Sequence, residues 1–262
     1  MKSESTHWYT RDGEPMYTII GANGKERNTN LRDARTLGLV PSVTTIIGMT
    51  AKPALENWKI SQAVNSALTL ERKHSESFDS FFYRCKEDAN KVSLKAAEQG
   101  TRIHALIEDG FLGGKKTKPY KAIKNFLDEH FPNKEWIAED SFCANEGYGG
   151  KIDLYCKEGI FVDFKTKDNL EGKESKKLVF DEHGMQLSAY AQGCQIQNPK
   201  RVSIFVDRKD TGLILGHIWD EESHERHLAM FNCVLEYWKL LKKYNPKISN
   251  LNEHIYDAQK KT

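Results

Sequence analysis

Gly147–Asp168 reads GYGGKIDLYCKEGIFVDFKTKD, and this stretch decides the fold. Two apolar runs flank Lys157-Glu158-Gly159, which suits a three-residue hairpin loop with Gly159 in the left-handed position. Pairing around that loop sets Cys156 opposite Ile160, Leu154 opposite Val162 and Ile152 opposite Phe164. Strand side chains alternate, so these apolar residues share one face. The other face carries Asp153, Tyr155, Phe161, Asp163 and Lys165, with Asp153 across from Asp163. Side chains so opposed sit ~5 Å apart, and two full charges there repel by roughly 3 kcal/mol at an effective dielectric of ~20. A shared proton, Lys165 or a divalent cation would neutralise the pair, and carboxylate oxygens suit Mg²⁺ or Mn²⁺. A solvated strand face with an ordinary ion pair is the plain alternative. Gly149-Gly150 weaken a strand unless backbone or a ligand must approach closely.

Working outward, the period upstream is helical. The spacing predicts a helix from Pro53 carrying Leu55, Trp58 and Val64, a polar loop over 72–80, and helices over 86–112 and 118–131. Trp136 to Ala144 read as a strand. Residues 167–183 read as a Lys- and Glu-rich loop, and a helix follows at 184–197. Strands at Arg201–Val206 and Leu213–Trp219 precede a last helix over 221–244. Near the N-terminus, Asp12-Gly13 and Asn23-Gly24 mark a β-ribbon over 8–30. The fold class is therefore α/β (α+β), with an antiparallel meander at the centre. The expected organisation is an N-terminal ribbon and helical region over 1–85, a core over 86–245 and a polar tail over 246–262.

The chain has 262 residues, 39% hydrophobic and 29% charged, which excludes a disordered protein. A net charge of +2 is too mild to announce a nucleic-acid binder, so such a partner needs a local patch. No apolar run approaches the ~18 residues of a membrane span. MKSESTHWYT has no apolar signal core, and a cytoplasmic protein with no membrane partner is expected, in a bacterial or phage-infected cell. The five cysteines form no CxxC pair, so zinc and iron–sulfur ligation lack a signal; they are expected reduced and buried. Gly21, Gly24 and Lys25 have the wrong spacing for a phosphate loop, which removes a nucleotide cofactor.

Gly150-Lys151-Ile152-Asp153 followed by Asp163-Phe164-Lys165-Thr166 resembles the PD-(D/E)xK nuclease superfamily. Upstream stands Gly100-Thr101-Arg102-Ile103-His104-Ala105-Leu106-Ile107-Glu108, and downstream Gln186-Leu187-Ser188-Ala189-Tyr190. A helical His, the Asp, Asp-x-Lys and Gln-x-x-x-Tyr in that order are similar to the RecB-type exonuclease branch. That branch includes phage exonucleases and the mitochondrial genome maintenance exonuclease. The resemblance spans roughly residues 40–245. It implies a restriction-endonuclease-like core with a central mixed sheet flanked by helices.

The resemblance also implies roles. Asp153, Asp163, the Phe164 backbone carbonyl, His104 and more loosely Glu108 would hold Mg²⁺ or Mn²⁺. Lys165 would orient the attacking water and offset phosphate charge. Gln186 and Tyr190 would contact DNA or support the metal site. Ser42, Thr44 and Thr45 could donate to phosphate, although helix capping explains them equally well. Lys167, Lys173, Lys176 and Lys177 could line a strand's path, although a solvated loop is their default. Trp8, Tyr9 and Trp58 could stack on bases, with core packing the plainer reading. The expected activity is metal-dependent DNA exonuclease action on single strands or single-stranded ends, in recombination, repair or replication. A single-strand-annealing or single-strand-binding protein is an expected partner. The rival readings are an endonuclease of the same superfamily, a catalytically silent DNA-binding recombination module and a metalloprotein with no nucleic-acid role.

Overall fold

The computed structural model describes residues 7–246. Along the chain run β1 (Trp8–Tyr9), β2 (Thr18–Ile20), β3 (Glu26–Asn28), α1 (Leu31–Leu37), β4 (Val40–Pro41), α2 (Val43–Ile47), α3 (Pro53–Thr69), α4 (Phe78–Phe111) and α5 (Lys118–His130). Then follow β5 (Ile137–Ala144), β6 (Tyr148–Cys156), β7 (Ile160–Lys167), α6 (Asp181–Gly193), β8 (Lys200–Asp207), β9 (Ile214–Ile218) and α7 (Ser223–Lys242). The main sheet has five strands in the order β5-β6-β7-β8-β9. Its β7–β8 pair is parallel and its other pairs are antiparallel, so the sheet is mixed, not a plain meander. The parallel pair follows from the crossover: residues 168–199 contain α6, and only a crossover of that kind joins parallel neighbours.

The hairpin forms as its loop dictates. Gly159 takes φ 90°, and Cys156 pairs with Ile160 and Leu154 with Val162. The β6–β7 ladder then stops at Leu154, one residue short of the expected Asp153–Asp163 pair. The Asp153 side chain takes over: its Oδ2 accepts the Phe164 amide at 2.8 Å. Across β5 the ladder also skips Glu139, which takes the left-handed φ of 59°. With alternation broken there, Ile152 leaves the expected apolar face. It packs with Phe161 and α6, whereas Leu154, Cys156, Ile160, Val162 and Phe164 share the opposite core with Ile103 and Ile107 of α4.

Several boundaries differ from the sequence reading for local reasons. Ser77 caps α4 by accepting the Ser80 amide at 3.2 Å, so the helix starts within the polar segment expected to be a loop. The division placed between 85 and 86 thus falls inside one helix. Leu55, Trp58 and Val64 of α3 are exposed, because α3 packs chiefly against α4 and nothing described covers its other sides. Trp8 and Tyr9 are buried, as core packing requires. Of the cysteines, Cys85 and Cys156 are buried, Cys143 and Cys194 half-buried and Cys233 exposed, so burial holds for part of the set. The polar tail from 247 onward lies outside the described residues.

Candidate active site

The broken ladder places two carboxylates at one spot. Asp163 is buried on β7, held between the parallel strand β8 and helix α6. Its Oδ1 accepts from Lys165 Nζ and from Gln186 Nε2, each at 2.7 Å. Lys165 Nζ also lies 2.7 Å from Oδ2, but Oδ2 receives no hydrogen bond although it is buried. Asp153 faces the same region from β6, with His104 Nδ1 3.7 Å from its Oδ2. Burial, then the negative charge of Asp163, push the Asp153 carboxyl above the ordinary carboxylate range.

Two helices carry the remaining groups. Ile103 and Ile107 bury one face of α4 against the sheet, which turns His104 toward Phe164, with ring centroids 6.1 Å apart. Gly100 permits the approach: a Cβ there would lie 3.0 Å from Thr166 Oγ1. Helix α6 is sandwiched between the sheet, α2 and α7 and buried on nearly all sides. Gln186 therefore points inward. It is 8% exposed, accepts from Lys165 at 3.1 Å through Oε1 and donates to Tyr190 at 2.9 Å. Tyr190 is 4% exposed and closes over Gly150, where a Cβ would meet its ring at 2.8 Å.

Gln186 thus supports Asp163 and Lys165, with Tyr190 behind it, and Gln186 also lines the cleft beside Lys165. The glycine pair likewise makes room for protein, Tyr9 over Gly149 and Tyr190 over Gly150, and not for a ligand. Ser42 is buried and caps α2 by accepting the Thr45 amide at 3.0 Å, the capping geometry that its sequence position allows. Glu108 lies within electrostatic reach of Glu139, Lys151 and His104. Burial, then Glu139, raise its carboxyl, and Lys151 opposes them; Lys151 is itself ion-paired with Glu139. Lys173, Lys176 and Lys177 are exposed; Lys177 pairs with Glu174 at 2.9 Å, and Lys173 donates to the Asp168 carbonyl. None of the three bonds to the carboxylates.

Beside Lys165 lies a cleft of about 300 Å³ that sequence reasoning did not assemble. Thr44, Lys52, Thr166, Lys167, Glu182 and His183 line it together with Lys165 and Gln186. Lys52 pairs with Glu182 at 3.4 Å. Burial, then Arg208, hold the Lys167 ammonium below its usual range. Burial, then Lys165, push the His183 imidazole down to about 4, so that ring is neutral near pH 7. Lys52 and His183 had no legible signal, because only the fold brings α3, β7 and α6 together.

Among the described residues, no three His, Cys, Asp or Glu side chains converge on one point. A divalent cation nevertheless fits Asp153 and Asp163. Mg²⁺ is commonly held by one or two carboxylates plus water and phosphate, and the buried Asp163 Oδ2, which receives no hydrogen bond and has only the Lys165 ammonium beside it, is an acceptor with a free lone pair.

No protein-family model and no curated protein matches the sequence. A solved alkaline exonuclease from Laribacter hongkongensis (LHK-Exo) is similar at a TM-score of 0.32 and 13% identity, over 70% of this chain and 96% of that one. The same enzyme in complex with dAMP gives a TM-score of 0.35 and 14% identity, over 75% and 89%. With so little identity and such partial superposition, the chemistry of the site has to be read from this chain's own residues.

That reading has a testable electrostatic consequence. A carboxyl raised in the folded state contributes stability that is present at acid pH and is lost as pH rises through its folded value. Ionised Asp153 therefore costs stability near neutrality. Asp153→Asn keeps an oxygen for the Phe164 amide and is expected to raise the melting temperature by about 2–4 °C at neutral pH, and by less in mild acid. Equal shifts at both pH values would show that the carboxylates do not oppose each other.

Proposed function

We propose that this protein is a metal-dependent nuclease that hydrolyses phosphodiester bonds, acting as a DNA exonuclease on single-stranded ends. The observation that carries the reading is the pairing of Asp153 with Asp163 beside Lys165, with one buried carboxylate oxygen left without a hydrogen bond. Asp153 and Asp163 would hold Mg²⁺ or Mn²⁺, with His104 alongside and the Phe164 carbonyl as a further oxygen. Bound there, such an ion supplies Lewis-acid polarisation of the phosphate and an activated water.

The chain's own groups do the rest. Lys165 places a compact positive charge where phosphate oxygens gain charge. Gln186 fixes the Lys165 ammonium and the Asp163 carboxylate through one amide, and Tyr190 fixes Gln186. Thr44, Lys52 and Lys167 give the adjoining cleft donors and positive charge suited to a neighbouring phosphate. Attack by water leaves no covalent enzyme intermediate.

Gln186 is a positioning residue. Gln186→Leu is expected to lower kcat by about 10- to 100-fold with little change in KM. An unchanged kcat would remove Gln186 from the account.

The exonuclease reading adds that the α3–α4 pair, beside the site through α4, admits only strand ends. Linear single-stranded DNA labelled at either end and circular single strands, each incubated with Mg²⁺, test it. Loss of the linear DNA alone supports an exonuclease, and the label pattern gives its polarity. Equal cutting of circles would make the protein an endonuclease.

A further inference from the structure

Helix α4 does more than carry His104. Its N-terminal half presents Phe78, Phe81, Phe82 and Cys85 at helical spacing toward α3, and between the two helices lies a groove of about 580 Å³. Burying such a face is what an apolar stripe ordinarily does, yet Phe78 is 70% and Phe82 50% exposed, and their rings stack with centroids 6.3 Å apart. The charged residues lining the groove are Lys59 and Lys86, and no acid lines it. Lys59 pairs with Glu56, three residues back on α3, at 3.3 Å, and Glu56 does not line the groove. The helix pair is held in shape by Ser66 donating to Asp88 at 2.9 Å and by the Arg84–Glu76 ion pair at 2.7 Å, whose guanidinium also lies 5.9 Å over the Phe81 ring.

We propose that this groove is a stacking platform for the bases of a single-stranded nucleic acid, lying on α4 N-terminal to His104, the helical residue that stands beside the catalytic carboxylates. The proposal rests on the nuclease reading above and extends it to a second contact surface. Exposed aromatic rings interleaved with lysines suit a strand that offers flat bases and a negative backbone, and such stacking is indifferent to sequence. A second copy of this chain fits less well. A two-fold pairing would gather Lys59 and Lys86 of both copies into one patch whose lining holds no acid to offset them. Continuity favours the strand: from Phe82 to His104 is about 33 Å of unbroken helix at 1.5 Å per residue, so a strand stacked on the groove can run along α4 to the site.

The test is fluorescence anisotropy of labelled oligothymidine with the full chain in EDTA, where no cleavage intervenes. Phe78→Ala/Phe82→Ala is expected to weaken binding by about tenfold or more, and Phe78→Trp/Phe82→Trp to retain it. An abasic oligomer of the same length should not distinguish wild type from the alanine variant. Both rings are exposed, so the substitutions leave the fold intact, which circular dichroism verifies. Equal oligothymidine binding by wild type and the alanine variant would overturn the proposal. So would a wild-type dimer in light scattering that the alanine variant loses. Because binding is read without cleavage, the two readings fail separately. An active nuclease with binding untouched by the substitutions removes only the platform. Ring-dependent binding without metal-dependent cleavage removes only the nuclease.

Discussion

Asp163→Asn is expected to cut metal-dependent strand cleavage on the order of 1,000-fold while nucleic-acid binding persists. The substitution keeps an oxygen for Lys165 and Gln186, both of which reach Oδ1 at 2.7 Å, while its amide nitrogen takes the Oδ2 place 2.7 Å from the Lys165 ammonium, so Lys165 is expected to shift toward Oδ1. What disappears is the negative charge and the buried Oδ2 that lacks a hydrogen bond. If those two properties hold a cation, their loss removes catalysis without removing the nucleic-acid surface. Steady-state cleavage of single-stranded DNA beside anisotropy binding in EDTA measures both. Cleavage within tenfold of wild type would place the chemistry elsewhere. Binding without cleavage in both proteins would instead support the silent-module reading.

The largest effect on stability is expected at Arg201 of β8, which ties α6 and α7 to the sheet. It is fully buried, and its guanidinium donates to Ser188 at 3.0 Å, His227 Nδ1 at 3.0 Å, the Asp220 carbonyl at 2.7 Å and Ser223 at 2.8 Å. Burial pushes its pKa down to about 10, which leaves it charged near neutrality. Arg201→Ala would leave a cavity and several acceptors without donors, at a cost of about 3–4 kcal/mol. Arg201→Met refills most of the volume and removes a desolvated charge, so it should cost clearly less. Urea unfolding compares them through the midpoint at constant slope. Equal costs would mean that hydrogen bonding, not packing, dominates. A negligible cost for Arg201→Ala would mean that α6 is held by its apolar contacts alone. Because Ser188 sits two residues beyond Gln186, loosening α6 should also displace the support of Lys165.

How much of this was legible depended on the range of the interaction. The hairpin register followed from Gly159 and the apolar alternation, both local. The break at Asp153 did not, because a side chain there replaces a ladder carbonyl, and alternation says nothing about that. His104 was legible only through the resemblance of its helical motif, and the packing of Ile103 and Ile107 that turns it to the sheet emerges from the fold. Gln186 and Tyr190 were legible as a pair four residues apart. Their inward aim was not, since α6 is covered on both sides by elements far away in sequence. The stripe of Leu55, Trp58 and Val64 has core spacing without a core to enter, and only the fold shows that α3 stands apart. The mixed sheet that the resemblance implied is present, whereas the antiparallel meander read from the strand pattern is not: a crossover of 32 residues between β7 and β8 excludes a hairpin there.

The central claim is that the opposed carboxylates of the β6–β7 hairpin form a divalent-cation site, and calorimetric titration of Mn²⁺ into protein free of nucleic acid tests it most directly. The account predicts saturable binding by wild type, reversed by EDTA and lost in both Asp153→Asn and Asp163→Asn. Heats indistinguishable between wild type and the two variants would contradict it.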